Sequence, residues 1–405
     1  MKRLRAYWLV ALVFWLVIAT YGLLIRWHLV RPIDGFRYTY WLHAHSHAAF
    51  LGWLHAGFML MLTYALMPER LGQKSFRNLF VFSQAMVAGM LISFPLQGYK
   101  GFSIAFLSLF LLGTYVWAFW FGKIPLETRR RFPLSYRLGR SAVWMMLLSS
   151  ISPWMLGPVM VMLGKKSIWY NLDIYFYLHF QYNGWFFLAL LALVAYLFEI
   201  KSMRFGEKFI LRINRLLLCG VLLGYLTNTL WTKPPVWVNF LAMFSVFCEA
   251  GGLWILFRKI WDEIKILHFN RIQKQMFYIL LFGLALKVIF QFTASCPYFA
   301  ELAYRIRDLL IGYLHWVFLG IYSVFLLWWV DIQKLVRLRP LFFRLFFAGF
   351  VWMDTLIFAR GFLIWWKISI PEAMASWIFW ATALMFTGIS LIVYDGTRTL
   401  LRNTH

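Results

Sequence analysis

The sequence predicts an all-α polytopic membrane protein of about twelve transmembrane helices, and three observations carry that prediction. The hydrophobic fraction is 62%. The charged fraction is only 14%, against about 25% in soluble domains. Too few polar side chains remain to cover a globular surface, so lipid must solvate much of the chain. Finally, apolar stretches long enough to cross a bilayer recur along all 405 residues. Short connections carrying Pro, Gly and charge separate them, such as Pro68-Glu69-Arg70 and Lys233-Pro234-Pro235.

The predicted spans are 6–29, 40–67, 78–97, 102–122, 140–163, 175–198, 211–230, 236–257, 276–295, 310–330, 341–365 and 373–394. Helices of about 20 residues each use up the chain, so 1–405 reads as a single transmembrane domain. The first apolar run follows Met1-Lys2-Arg3-Leu4-Arg5. It is too long for a signal-peptide core and lacks a clear small-residue cleavage site, so it reads as a retained span. Cys219, Cys248 and Cys296 are scattered without a CxxC pattern, which implies neither a disulfide framework nor an iron–sulfur site. No internal repeat or low-complexity segment stands out.

The net charge is +25, from 40 Lys and Arg against 15 Asp and Glu. In a membrane chain such basicity orients helices and meets anionic lipid, so nucleic acid is not expected as a partner. With the N-terminus inside, alternate connections carry 28 Lys and Arg on the cytoplasmic side and 10 on the outer side, with Lys287 and Arg360 inside spans. That asymmetry predicts both termini in the cytoplasm and an even number of spans. The aromatic fraction of 21% is assigned to interface belts and core packing.

Of nine histidines, His28, His268 and His405 fall in loops, at span ends or at the tail. His43, His45, His47, His55, His179 and His315 fall inside spans, where histidine is rare and marks function. Spans 2, 6 and 10 all enter from the outer side, which places His43, His45, His47, His179 and His315 within roughly 10 Å of one another in depth at 1.5 Å per residue. At 100° per residue His43 and His47 share one face of span 2 and His45 points away. His45 stands above Ala48, Ala49, Gly52 and Ala56, a smooth stripe. Such a stripe admits a flat macrocycle, or it packs another helix closely. His45 is therefore the best single ligand candidate, with His47 or His43 facing a second partner. Tyr182 and Asn183 follow His179 at i+3 and i+4 and make a polar face whose groups need partners. Among the buried charges Glu249, Lys287, Asp354 and Arg360, the last two share span 11 and are expected to pair across helices, as a proton path, a propionate clamp or structural pairs.

Ligand-type histidines on spans 2, 6 and 10 of a twelve-span chain resemble subunit I of the haem–copper oxidase and nitric oxide reductase superfamily. Leu42-His43-Ala44-His45-Ser46-His47-Ala48-Ala49-Phe50 looks like the segment that supplies a low-spin haem ligand, with His45 at the ligand position. The same run is similar to the His-x-His segment opening span 2 of the NnrS family. His179-Phe180-Gln181-Tyr182-Asn183-Gly184 looks like the span 6 metal segment of nitric oxide reductases, with Asn183 where a carboxylate stands there. His315 takes the span 10 position. Span 7 has no His-His pair and reads Thr227-Asn228-Thr229-Leu230-Trp231, and span 10 has one histidine, with Tyr313 two residues before it.

The resemblance implies a subunit I-like bundle and a b-type haem held by His45 and His315. It also implies copper or iron near His179 and His47, with Tyr182, Asn183, Tyr313, Arg360 and Asp354 as polar support. Respiratory electron transfer, or redox chemistry of oxygen or nitric oxide, is the function expected on this basis. The missing ligands argue against a complete dinuclear centre. With no CxxCH motif, the electron donor must be another molecule, a cytochrome or quinol, and further membrane subunits are possible partners. Two other readings compete: a non-haem copper or zinc protein, and a transporter or structural subunit without a redox cofactor.

Overall fold

The computed structural model describes residues 2–402 and contains no strand among them. Twelve helices are long and apolar enough to span a bilayer. They are α1 Arg3–Val30, α2 Tyr38–Leu66, α3 Lys74–Gln97, α4 Gly101–Gly122, α5 Pro133–Leu163, α6 Ile168–Glu199, α7 Glu207–Thr232, α8 Val236–Trp261, α9 Arg271–Ala294, α10 Arg307–Ile332, α11 Pro340–Trp365 and α12 Met374–Arg398. This is a polytopic helical membrane protein. The helices run past the apolar windows, most at α5 and α6, because polar and charged first turns continue the helix where hydropathy has already fallen. His405 lies outside the described residues.

Consecutive helices pack side by side and α12 returns to α1, which closes the bundle. Small residues let backbones approach, as expected where lipid is no less apolar than a side chain. A Cβ on Gly349 of α11 would stand 2.2 Å from the Met385 backbone nitrogen of α12. Outward faces carry Phe102, Phe240 and Trp254, all exposed. Three helices sit inside. The whole of the most apolar stretch of α6 is buried, as are 89% of that of α2 and 56% of that of α10, against at most 44% for any other helix.

These same three helices leave α geometry partway along. π-helical segments run over Ala49–His55 in α2, Phe180–Phe186 in α6 and Trp316–Ser323 in α10. A π-turn closes i→i+5 bonds and takes in one extra residue, and such turns concentrate at functional sites. The three segments meet at the centre. Trp53 Nε1 donates to Ser323 Oγ at 2.8 Å, and the Tyr322 hydroxyl donates to the Tyr182 carbonyl. Phe50 packs edge-on against Phe318 with centroids 4.6 Å apart.

Each segment opens on one motif. His47-Ala48-Ala49-Phe50-Leu51-Gly52, His179-Phe180-Gln181-Tyr182-Asn183-Gly184 and His315-Trp316-Val317-Phe318-Leu319-Gly320 all read His-x4-Gly, once in every fourth helix. The three central helices thus share a short local signature at their π-turns. All three share only His and Gly, those of α2 and α10 share Phe-Leu before the glycine as well, and the common π-turn marks the three as equivalent.

The π-turn also corrects the reading of α2. The stripe below His45 was projected at 100° per residue, but from Ala49 the helix is wound differently. Gly52 faces Val87 of α3 and Phe14 of α1, whose side-chain atoms a Cβ would meet at 2.9 and 3.1 Å. The small stripe serves helix packing.

Candidate functional site: histidines at the head of the central helices

His45 turns toward α1. Its Nδ1 lies 2.9 Å from the Ile18 carbonyl. A carbonyl only accepts, so Nδ1 carries the proton and Nε2 keeps its lone pair. One turn along α1, a Cβ on Gly22 would stand 3.0 Å from His45 Cε1. The small neighbour that sequence placed below His45 on α2 is thus Gly22 of α1.

His315 of α10 lies within electrostatic reach of His45 and of Arg26. Its Nδ1 is buried and has no hydrogen-bond partner. Arg26 lies in turn within reach of Tyr38, Asp308, Asp354 and Arg360. Arg360 Nε donates to Asp308 Oδ2 at 2.9 Å, and Arg360 Nη2 donates to Asp308 Oδ1. This forked pair across α10 and α11 is the directional kind that guanidinium favours. Asp354 is buried, its Oδ1 lacks a hydrogen-bond partner, and Arg26 is the charge that acts on it. Sequence reading missed Arg26 and Asp308. Both lie near the ends of their spans, where they count as loop charge.

His43 and His47 share a face of α2, with ring centroids 6.3 Å apart. His47 Nδ1 donates to the His43 carbonyl at 2.8 Å, and its Nε2 accepts from the Tyr99 hydroxyl at 2.5 Å. His55 is buried between Phe110 and Trp185.

His179 has both ring nitrogens engaged. Nε2 donates to the Val221 carbonyl of α7 at 2.8 Å. Nδ1 accepts from Asn183 Nδ2 at 3.2 Å and from Asn228 Nδ2 at 3.1 Å. Asn228 belongs to the span 7 segment where the resembled superfamily carries a histidine pair. Here that segment supplies an amide which closes off His179. Tyr182 stands edge-on to Tyr313 with centroids 6.0 Å apart. The polar face after His179 is therefore met largely by protein groups, although Asn183 Oδ1 has no partner.

Deeper in the bundle, Lys287 of α9 donates to Glu249 Oε1 of α8 at 2.6 Å and to Gln291 Oε1 at 3.1 Å. Its ammonium also lies 4.5 Å from the ring centre of Phe187, the residue following the π-turn of α6. Gln291 Nε2 donates to Glu249 Oε2 at 3.1 Å. The pair is completely buried and fully hydrogen-bonded, the condition under which buried charges persist.

At the α2–α10 site His315 lies within electrostatic reach of both His45 and Arg26. Among the described residues no three His, Cys, Asp or Glu side chains form one cluster. Of the residues expected to lie near copper or iron, His179 has both ring nitrogens engaged by groups of α6 and α7, whereas His47 is anchored on a backbone carbonyl and meets the Tyr99 hydroxyl with its Nε2. His45 presents a free Nε2, His315 has an unpartnered nitrogen, and basic charge lies beside them. No protein-family model matches the chain, and no curated protein matches it either.

Proposed function

We propose that the chain is a bacterial inner-membrane protein, related in architecture to subunit I of the haem–copper oxidases, that binds a b-type haem between α2 and α10 and passes electrons. Both termini face the cytoplasm on this reading, and the histidine end of the bundle faces outward. The observation that carries the proposal is the complementary state of two imidazoles. His45 has its Nδ1 proton fixed on the Ile18 carbonyl, which sets the tautomer and aims the Nε2 lone pair. His315, within electrostatic reach, has its buried Nδ1 unpartnered, so no protein hydrogen bond at that nitrogen fixes its ring.

His45 and His315 would hold the iron. Haem bound by two histidines supplies one-electron transfer and leaves no open position for a gas. Arg26 and Arg360 would face the ring's carboxylates, with Asp308 orienting Arg360 and Asp354 balancing Arg26. The donor is a cytochrome or a quinol, since the chain has no CxxCH motif of its own. The closed hydrogen bonds of His179 speak for a single haem without a dinuclear metal centre.

The test is a dithionite-reduced visible spectrum and a pyridine haemochrome on protein purified after expression with ample haem. A reduced low-spin band is expected, and His45→Ala and His315→Ala should each abolish it. A wild-type protein without a Soret band sinks the proposal, and a band untouched by both substitutions moves the ligands elsewhere.

A further inference from the structure

The entrance of α2 holds a second set of donors that the haem reading does not use. His43 and His47 stand four residues apart on one helical face, the spacing by which a helix offers two imidazoles to one ion. The turn between α3 and α4 brings Tyr99 over them. Its ring lies 4.7 Å from that of His43 and 5.5 Å from that of His47, nearly perpendicular to both. Gly98 makes this turn with φ +66°, and a Cβ there would collide with the Tyr40 ring at 2.6 Å. Ser103 locks the turn: its Oγ donates to the Gly98 carbonyl at 2.6 Å and accepts from the Lys100 N–H at 3.0 Å. The Tyr99 hydroxyl is thereby held on His47 Nε2. The other nitrogen of His47 is anchored on a backbone carbonyl, the outer-shell contact that metal-bound histidines use to fix their tautomer.

We propose that His43, His47 and Tyr99 form a binding site for a divalent transition metal of the copper(II) or zinc class, separate from His45 and His315. Two neutral imidazoles and a phenolate, without sulfur, suit these ions and not copper(I). His47 Nε2 and Tyr99 Oη are 2.5 Å apart. Two ligands at about 2.0–2.1 Å from one metal stand roughly 3 Å apart, so the pair opens by a few tenths of an ångström. Binding breaks the O–H bond of Tyr99 and forms a metal–oxygen bond. One proton per ion leaves to solvent, the imidazoles enter neutral, and no oxidation state changes. Lys165 lies within electrostatic reach of His43. The donors themselves must hold the ion, and uptake weakens in acid.

The test is copper(II) titration of the full-length protein in detergent, followed by metal analysis, electron paramagnetic resonance and visible spectroscopy. The wild type should bind about one copper(II) more per chain than His43→Ala/His47→Ala. Tyr99→Phe should weaken binding by at least about tenfold and remove a phenolate-to-copper charge-transfer band. Copper(II) should displace zinc loaded beforehand, in keeping with its tighter binding to nitrogen and oxygen donors. His47→Gln keeps an acceptor for Tyr99 and gives the same reading if the double variant misfolds. His45→Ala should retain the copper signal, so this site and the haem reading stand or fall separately. Copper stoichiometry unchanged by the histidine substitutions, or a spectrum unchanged by Tyr99→Phe, overturns the proposal.

Discussion

In α6 the histidine that opens the π-turn is closed on every side, by Val221 on one nitrogen and by Asn183 and Asn228 on the other. In α10 the equivalent histidine keeps a buried nitrogen without any partner. Both belong to the same His-x4-Gly unit on the same kind of helix. The difference comes from the neighbouring helices: α7 sends a carbonyl and an amide toward His179, while His315 is left facing His45 and Arg26. A repeated backbone element sets the position of the imidazole, and the surrounding helices decide whether it is a structural hydrogen-bonding group or a prospective ligand.

The largest way to break this comparison is spectroscopic. His315→Ala should remove the haem band completely and His179→Ala should leave it in place, read as haem absorbance per protein. Equal loss in both variants would erase the distinction. Next in size is the buried pair below the closed unit. Lys287→Met leaves the Glu249 carboxylate unpaired and should cost about 3–5 kcal/mol, seen as a lowered thermal midpoint in detergent. Lys287→Met/Glu249→Leu should recover most of that loss. A third change probes the packing of the closed unit. Gly184→Ala drives a Cβ to within 2.6 Å of Met145 Cβ and should cost about 1–3 kcal/mol by overpacking. The smallest is Tyr322→Phe, which removes the donor on the Tyr182 carbonyl and should cost about 1 kcal/mol. A neutral result there would mean that the π-turn carbonyl is satisfied in another way.

The spans were legible in the sequence because length and apolarity are local properties. Every apolar window became part of a long helix, and the errors lie at the ends, as at α5, where Pro133 starts a helix expected at residue 140. Polar residues inside spans stand out from their neighbours, and the histidines picked out in this way lie on helices that the structure places at the centre of the bundle. Contacts were not legible. The angular phase of α2 changes at Ala49, so Gly52 was assigned to His45 when Gly22 of α1 holds that place. Arg360 reaches Asp308 across a helix boundary that no spacing rule foretells. Tyr99 reaches His47 only through the turn at Gly98, a contact between α2 and a distant connection that spacing along one helix does not show.

The π-turns have a consequence for chain length. Each central helix carries one residue more than α geometry needs at its middle. Deleting a residue from Ala49–His55, Phe180–Phe186 or Trp316–Ser323 would therefore relax that helix to regular winding without breaking it. The half beyond the deletion would keep nearly its present direction, because the wider turn already absorbs the extra residue. A deletion in the regular part of the same helix would instead turn the half beyond it by about 100°. The middle of each central helix is thus the place where the bundle can lose one residue and keep Tyr322 on Tyr182 and Trp53 on Ser323.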